Sequence, residues 1–144
     1  MPFHPFAIHF PIAGLLFALF FQGLYLWRRA AWFRDAALIL FALAVAGALV
    51  AALSGTAQES QLASLPHLSE PLARHSRMGN LFTWLMAASG IATLYLKLKG
   101  GPLGWDLFSL LLLLSVLAVW TSHLGGVLVF QFGGGVSSPP LLAP

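Results

Sequence analysis

The chain has 144 residues, 59% of them hydrophobic and only 8% charged, where an ordinary soluble domain carries about 25% charged residues; with a mean hydropathy of +0.87 it reads as an integral membrane protein. Seven Lys and Arg against four Asp and Glu give a formal net charge of +3, and in so apolar a chain these few cations report orientation, not a nucleic-acid partner. The absence of cysteine excludes disulfides, thiolate metal sites, cysteine-ligated iron-sulfur clusters and covalent CxxCH haem attachment, so any metal or haem must be held by His, Met or carboxylate.

The first apolar segment covers about residues 6–27. It follows His4 and Pro5 and contains His9, Phe10 and Pro11 near its start. Its positive charges, Arg28 and Arg29, come after the apolar run, the reverse of a secretory signal, so it is expected to be a retained transmembrane helix. Pro11 suits a first helical turn, and Tyr25, Trp27 and Trp32 fit an aromatic belt at the far interface. The second span covers about 36–54. It carries Ala44, Gly47, Ala48, Ala51, Ala52 and Gly55 along one stripe, which permits close approach of another backbone or of a flat ligand.

Residues 55–73 form the only extended polar segment and are expected to be the largest loop, with a short surface helix. The third span, about 74–97, ends in Lys97, Lys99, Gly100, Gly101 and Pro102, a helix stop followed by a tight turn. The fourth, about 105–130, opens on Trp105 and Asp106. Beyond it Gly133, Gly134, Gly135 and a Pro-rich tail show no helical pattern. The expected architecture is all-α: one domain over residues 1–144, an integral membrane four-helix up-and-down bundle.

Arg28, Arg29, Arg34, Lys97 and Lys99 fall in the loops after the first and third spans. By the positive-inside rule that side is cytoplasmic, and both termini and the long loop face outward, into the periplasm of a multi-pass bacterial inner-membrane protein. Arg74 and Arg77 run against this trend, as snorkelling side chains at the outer interface do.

That parity puts His4, His9, His67, His75 and His123 all in the outer half. A histidine within a membrane span needs a partner, because lipid offers no hydrogen bond. His9 lies about one turn inside the first helix, His123 about two turns before the chain leaves the fourth, and His75 at the mouth of the third. Each has a small residue on its own face: Ala13 for His9, Gly79 for His75 and Gly126 for His123. Haem b fits this inventory. It needs axial histidines but no cysteine, and its propionates can meet Arg74 and Arg77 at the aqueous edge. The first and third helices of an up-and-down bundle are diagonal, so His9 with His75 is the first axial pair; His123, with His4 as partner, completes a second haem or hydrogen-bonds the first. A mononuclear copper or zinc centre, or plain hydrogen bonding of His9 and His123 across the bundle, are the other readings of the same residues.

His4 and Pro5, the run His9 to Ala13, His75 ahead of Gly79, and the closing His123, Leu124, Gly125, Gly126, Val127, Leu128, Val129 and Phe130 with Gly133 and Val136 together resemble DUF2231, a bacterial family of predicted four-helix membrane proteins. The resemblance spans nearly the whole chain. It implies a subunit of respiratory or photosynthetic electron transfer, with cytochrome or Rieske-type partners, in which His4, His9, His75 and His123 match the family's histidines. The family pattern commonly places a Tyr and a further His before the final Gly-Val; here Phe130, Gln131 and Phe132 stand instead.

The expected function is therefore a b-type cytochrome-like electron-transfer subunit of a larger redox complex, holding one or two haems. No carboxylate pair, nucleophile-base constellation or phosphate loop marks the chain as an enzyme by itself. The alternative is a cofactor-free scaffold whose small-residue stripe and glycine-rich tail dock onto membrane partners.

Overall fold

The computed structural model describes residues 4–135. A short helix α1 (His4–Ala7) runs almost without interruption into α2 (His9–Arg28): Ile8 between them keeps helical backbone angles and its N–H bonds to the His4 carbonyl at 3.1 Å. Then come α3 (Ala31–Leu62), a 3₁₀ turn (Pro66–Leu68), α4 (Ser69–Leu98) and α5 (Trp105–Phe130). Four helical stretches are long and apolar enough to cross a membrane. Even α2, with 20 residues, spans about 30 Å at 1.5 Å per residue, the thickness of a hydrocarbon core.

The helices close a ring in which α2 packs on α3, α3 on α4, α4 on α5 and α5 back on α2. Contacts between α1–α2 and α3 run in opposite senses along the two chains, from Gly14 on Ala44, through Pro11 on Gly47, to His4 on Gly55. The bundle is therefore up-and-down, with α1–α2 diagonal to α4. Its core is a column of Leu15, Ala18, Phe41, Ala44, Ala48, Phe82, Met86, Leu107, Leu111, Leu114 and Ala118. A second, smaller cluster of Leu68, Leu72 and Leu128, with Leu62 against it, caps one end. Large apolar side chains such as Phe17, Leu43, Trp84, Ile91 and Val119 point outward, as expected where the solvent is lipid and helices are hydrophobic all round.

The small-residue stripe is spent inside the bundle. A Cβ on Gly14 would lie 3.1 Å from the Ala44 Cβ and 3.3 Å from the Leu40 carbonyl oxygen, and one on Gly47 would lie 3.1 Å from Pro11. Close backbone approach of this kind is what holds membrane helices together where no hydrophobic effect acts between them. Gly14→Leu is expected to cost about 2 kcal/mol or more by forcing α2 from α3, read as a lowered unfolding midpoint in detergent.

The expected loop 55–73 is far shorter than its polarity suggested. Helix α3 continues through Gln58, Glu59 and Ser60 to Leu62, and α4 begins at Ser69. The physical reason is that Gln and Glu are good helix formers, so a span that leaves the membrane need not unwind. Pro71 falls in the first turn of α4, where its missing N–H costs nothing, and Glu70 beside it suits the helix dipole.

At the opposite end from the leucine cap, Gln22 is fully buried. Its Nε2 donates to the carbonyls of Leu103 and Gly104, both at 2.8 Å, tying α2 to the turn that starts α5. Nearby, Asp35 bridges Lys97 at 3.4 Å and Arg34 at 3.8 Å. These pairs are half-exposed and each contributes about 0–1 kcal/mol.

Candidate functional site

A polar layer lies between the leucine cap and the main core, and His4 and His75 meet there. Their ring centroids are 6.3 Å apart and the rings cross at 72°. They come from diagonal members of the bundle, so the pair bridges its interior. His4 is half-buried, and its Nδ1 lies 2.9 Å from the Ala51 carbonyl and 3.1 Å from Ser54 Oγ; Ser54 itself donates to the same carbonyl at 2.8 Å. A carbonyl can only accept, so Nδ1 carries the proton and Nε2 is left with its lone pair. The buried Nδ1 of His75 has no hydrogen-bond partner. The Thr121 backbone and the Glu59 carboxylate are the other groups that act on this ring.

Two glycines seat the rings. A Cβ on Gly55 would lie 3.0 Å from His4 Cε1, and one on Gly125 would lie 3.0 Å from His75 Cε1. The order across the bundle is thus Gly55, His4, His75, Gly125, with α1, α3, α4 and α5 all contributing. Gly125→Ala is expected to displace the His75 ring by a few tenths of an ångström and to change any spectrum of a ligand on the pair while leaving the fold intact, checked by circular dichroism beside visible absorption.

The axial pair expected from depth, His9 with His75, is not the one the structure brings together. The inward face of the first rod is His4, Ala7, Pro11, Leu15, Ala18 and Gln22, a spacing of three and four. His9 falls between these positions and is exposed. The same holds for α5, whose buried stripe of Leu111, Leu114, Ala118 and Leu128 includes Thr121 and Gly125 but not His123. His123 is exposed beside Trp120, at 5.9 Å between centroids, and lines a shallow groove of about 260 Å³ with Gly126, Val127, Phe130 and Gln131. His4 and His123 are therefore not partners either.

Of the other expected site residues, Arg74 is paired with Glu70 on its own helix. Arg77 is exposed and makes no ion pair among the described residues. A Cβ at Gly79 would meet nothing within 4 Å, and at Gly126 only the Phe130 ring at 4.0 Å, so neither glycine seats a histidine ring as Gly55 and Gly125 do. His67 sits exposed in the 3₁₀ turn. Depth alone does not single out Ala51, Ser54, Gly55, Thr121 and Gly125, although Gly55 stands on the small-residue stripe. Val136, at the end of the closing motif, lies outside the described residues.

The donor chemistry suits a metal centre of two neutral imidazoles. An Nδ1–H held by a backbone carbonyl with Nε2 free is the usual outer-shell arrangement of a ligating histidine. Two imidazoles on one metal, each with a bond of about 2.0–2.1 Å, have ring centres about 6 Å apart, close to the separation found here. Among the described residues no group of three or more His, Asp or Glu is arranged to hold a metal ion.

No curated protein and no solved structure matches the chain. A family model described as a predicted membrane protein, DUF2231, matches residues 1–138; the chain belongs to that family.

Proposed function

We propose that this protein is a membrane-embedded electron-transfer subunit of an oxidoreductase complex, holding one b-type haem through His4 and His75. The single observation that carries the reading is the pair itself: two imidazoles from diagonal helices, 6.3 Å apart, one with its Nδ1 engaged by a carbonyl and the other with a buried Nδ1 that makes no well-formed hydrogen bond, the Thr121 backbone being the polar group beside the ring. Leaving such a nitrogen unsatisfied in an apolar bundle costs about 1–3 kcal/mol. A ligand that uses it removes that cost.

Bound there, haem supplies a one-electron couple. Everything else in the reading belongs to the chain's own residues. The Ala51 carbonyl and Ser54 hold the His4 ring in one tautomer and raise its basicity. Gly55 and Gly125 fix the planes of the two rings, and the leucine cap keeps water from one side. Arg77, free of carboxylates among the described residues, is available to a propionate at the aqueous edge, Arg74 being engaged by Glu70. In this reading the histidine end faces the periplasm across a bacterial inner membrane, and the cationic end faces the cytoplasm. The partners are then cytochrome or Rieske-type redox subunits. The scaffold alternative is weaker because the stripe it needs as a docking face, Ala44 to Gly55, is covered by α1 and α2.

A dithionite-reduced minus oxidised spectrum of the detergent-solubilised protein, with pyridine extraction to count haem, tests this. A sharp reduced α-band with about one non-covalent haem per chain supports it. A featureless spectrum from folded protein, produced with ample haem, rejects it.

A further inference from the structure

One end of the bundle carries the entire formal charge. Arg28, Arg29, Arg34, Lys97 and Lys99 stand there against Asp35 and Asp106, five cations less two carboxylates, or +3; at the other end Arg74 and Arg77 are balanced by Glu59 and Glu70. Asp35 is engaged by Arg34 and Lys97, and Arg28, Arg29 and Lys99 make no ion pair among the described residues. The Arg28 guanidinium lies 4.3 Å over the ring of Trp27. That same indole, with Gly23, Leu26, Trp105 and Phe108, lines a cleft of about 270 Å³ between α2 and α5. Gly23 helps keep it open, since a Cβ there would already touch the Phe108 ring at 3.6 Å. Asp106 is the carboxylate at this rim. It sits in the first turn of α5, where it offsets the helix dipole, so the cationic side of the cleft is the α2 side. A guanidinium anchored on an interfacial indole above an apolar cleft suits a ligand with an anionic head and a hydrocarbon chain.

We propose that the cleft between α2 and α5 binds one anionic phospholipid, its phosphate on Arg28 and an acyl chain against Gly23, Leu26, Trp27, Trp105 and Phe108. Free phosphate shares the head chemistry but has nothing to place in the cleft, which makes the lipid the occupant. The site lies at the end of the bundle away from His4 and His75 and is independent of the haem reading.

The test uses the full chain, delipidated in detergent, with native mass spectrometry of added phosphatidylglycerol and phosphatidylcholine of matched chains. The expected result is a preference for phosphatidylglycerol of about fivefold, the contribution of one interfacial cation. Arg28→Gln brings the two lipids to near parity and Arg28→Lys restores most of the preference. Gly23→Leu, which fills the cleft, lowers retention of both, and a large excess of inorganic phosphate displaces neither. Equal retention of the two lipids by the unaltered protein overturns the proposal. So does a preference that survives Arg28→Gln, or displacement of the lipid by inorganic phosphate. Arg28 is exposed, so its replacement decides the question even if Gly23→Leu does not fold.

Discussion

Replacing either His4 or His75 by alanine is expected to lower bound haem at least tenfold, whereas His9→Ala and His123→Ala leave it within about twofold of the unaltered protein. The asymmetry follows from faces, not depths. The His4 and His75 rings lie 6.3 Å apart inside the bundle, and each is the sole imidazole on its side of the pair. His9 and His123 point outward. Losing one axial ligand removes a metal–nitrogen bond and leaves the second imidazole a poorer partner, and a loss of about 1.4 kcal/mol already gives tenfold. The experiment compares α-band absorbance per folded protein across the four variants. If His9→Ala removes the band and His4→Ala does not, the pair named here is wrong even if haem is bound. A second expected result separates ligation from packing. Ser54→Ala removes one of the two groups that hold the His4 Nδ1 but keeps the Ala51 carbonyl, so it shifts the reduction potential without loss of haem.

The spans and their up-and-down order are legible in the sequence because each is a long apolar run closed by cations, aromatics or Gly and Pro. The end of α3 is not, because Gln58, Glu59 and Ser60 read as a loop by polarity while a helix leaving the membrane accepts them. The pairing of histidines is legible in principle. Gln22 is polar within a hydrophobic helix and must face inward, and His4 stands 18 residues before it, which is five turns of 3.6 residues and therefore the same face. His9 stands 13 residues before it, some 140° away. Depth put His9 forward; the face puts His4 beside His75. The same reasoning distinguishes Gly125, on the stripe with Ala118 and Thr121, from Gly126, one residue and about 100° off it. What no single-chain pattern supplies is the partner across the bundle, since the contact between His75 and Gly125 depends on the vertical register of α4 and α5, which their connecting turn sets.

Gln22 ties α2 to the turn that leads into α5, and Gln22→Leu is expected to destabilise the bundle by about 1–3 kcal/mol. The amide donates to two carbonyls in the turn that leads into α5, and the site is closed to solvent. Leucine fills nearly the same volume but leaves the Leu103 carbonyl without a donor, at about 1–3 kcal/mol, whereas the Gly104 carbonyl keeps the Phe108 N–H at 3.2 Å. Part of this is returned, because Gln22 Oε1 is itself buried without a partner and leaves with the substitution. Gln22→Asn, one methylene shorter, keeps a buried amide that no longer reaches the carbonyls and costs at least as much. The measurement is the midpoint of unfolding in mixed detergent and SDS micelles. A change below about 1 kcal/mol for Gln22→Leu would show that the turn finds other donors and that the lock between α2 and α5 lies elsewhere. Gln22 stands about 27 Å along the rod from His4, so material that remains folded should keep its full complement of haem. Loss of haem in proportion to loss of stability would instead mean that the register of α5, and with it the seat of His75 on Gly125, is transmitted from this end of the bundle to the other.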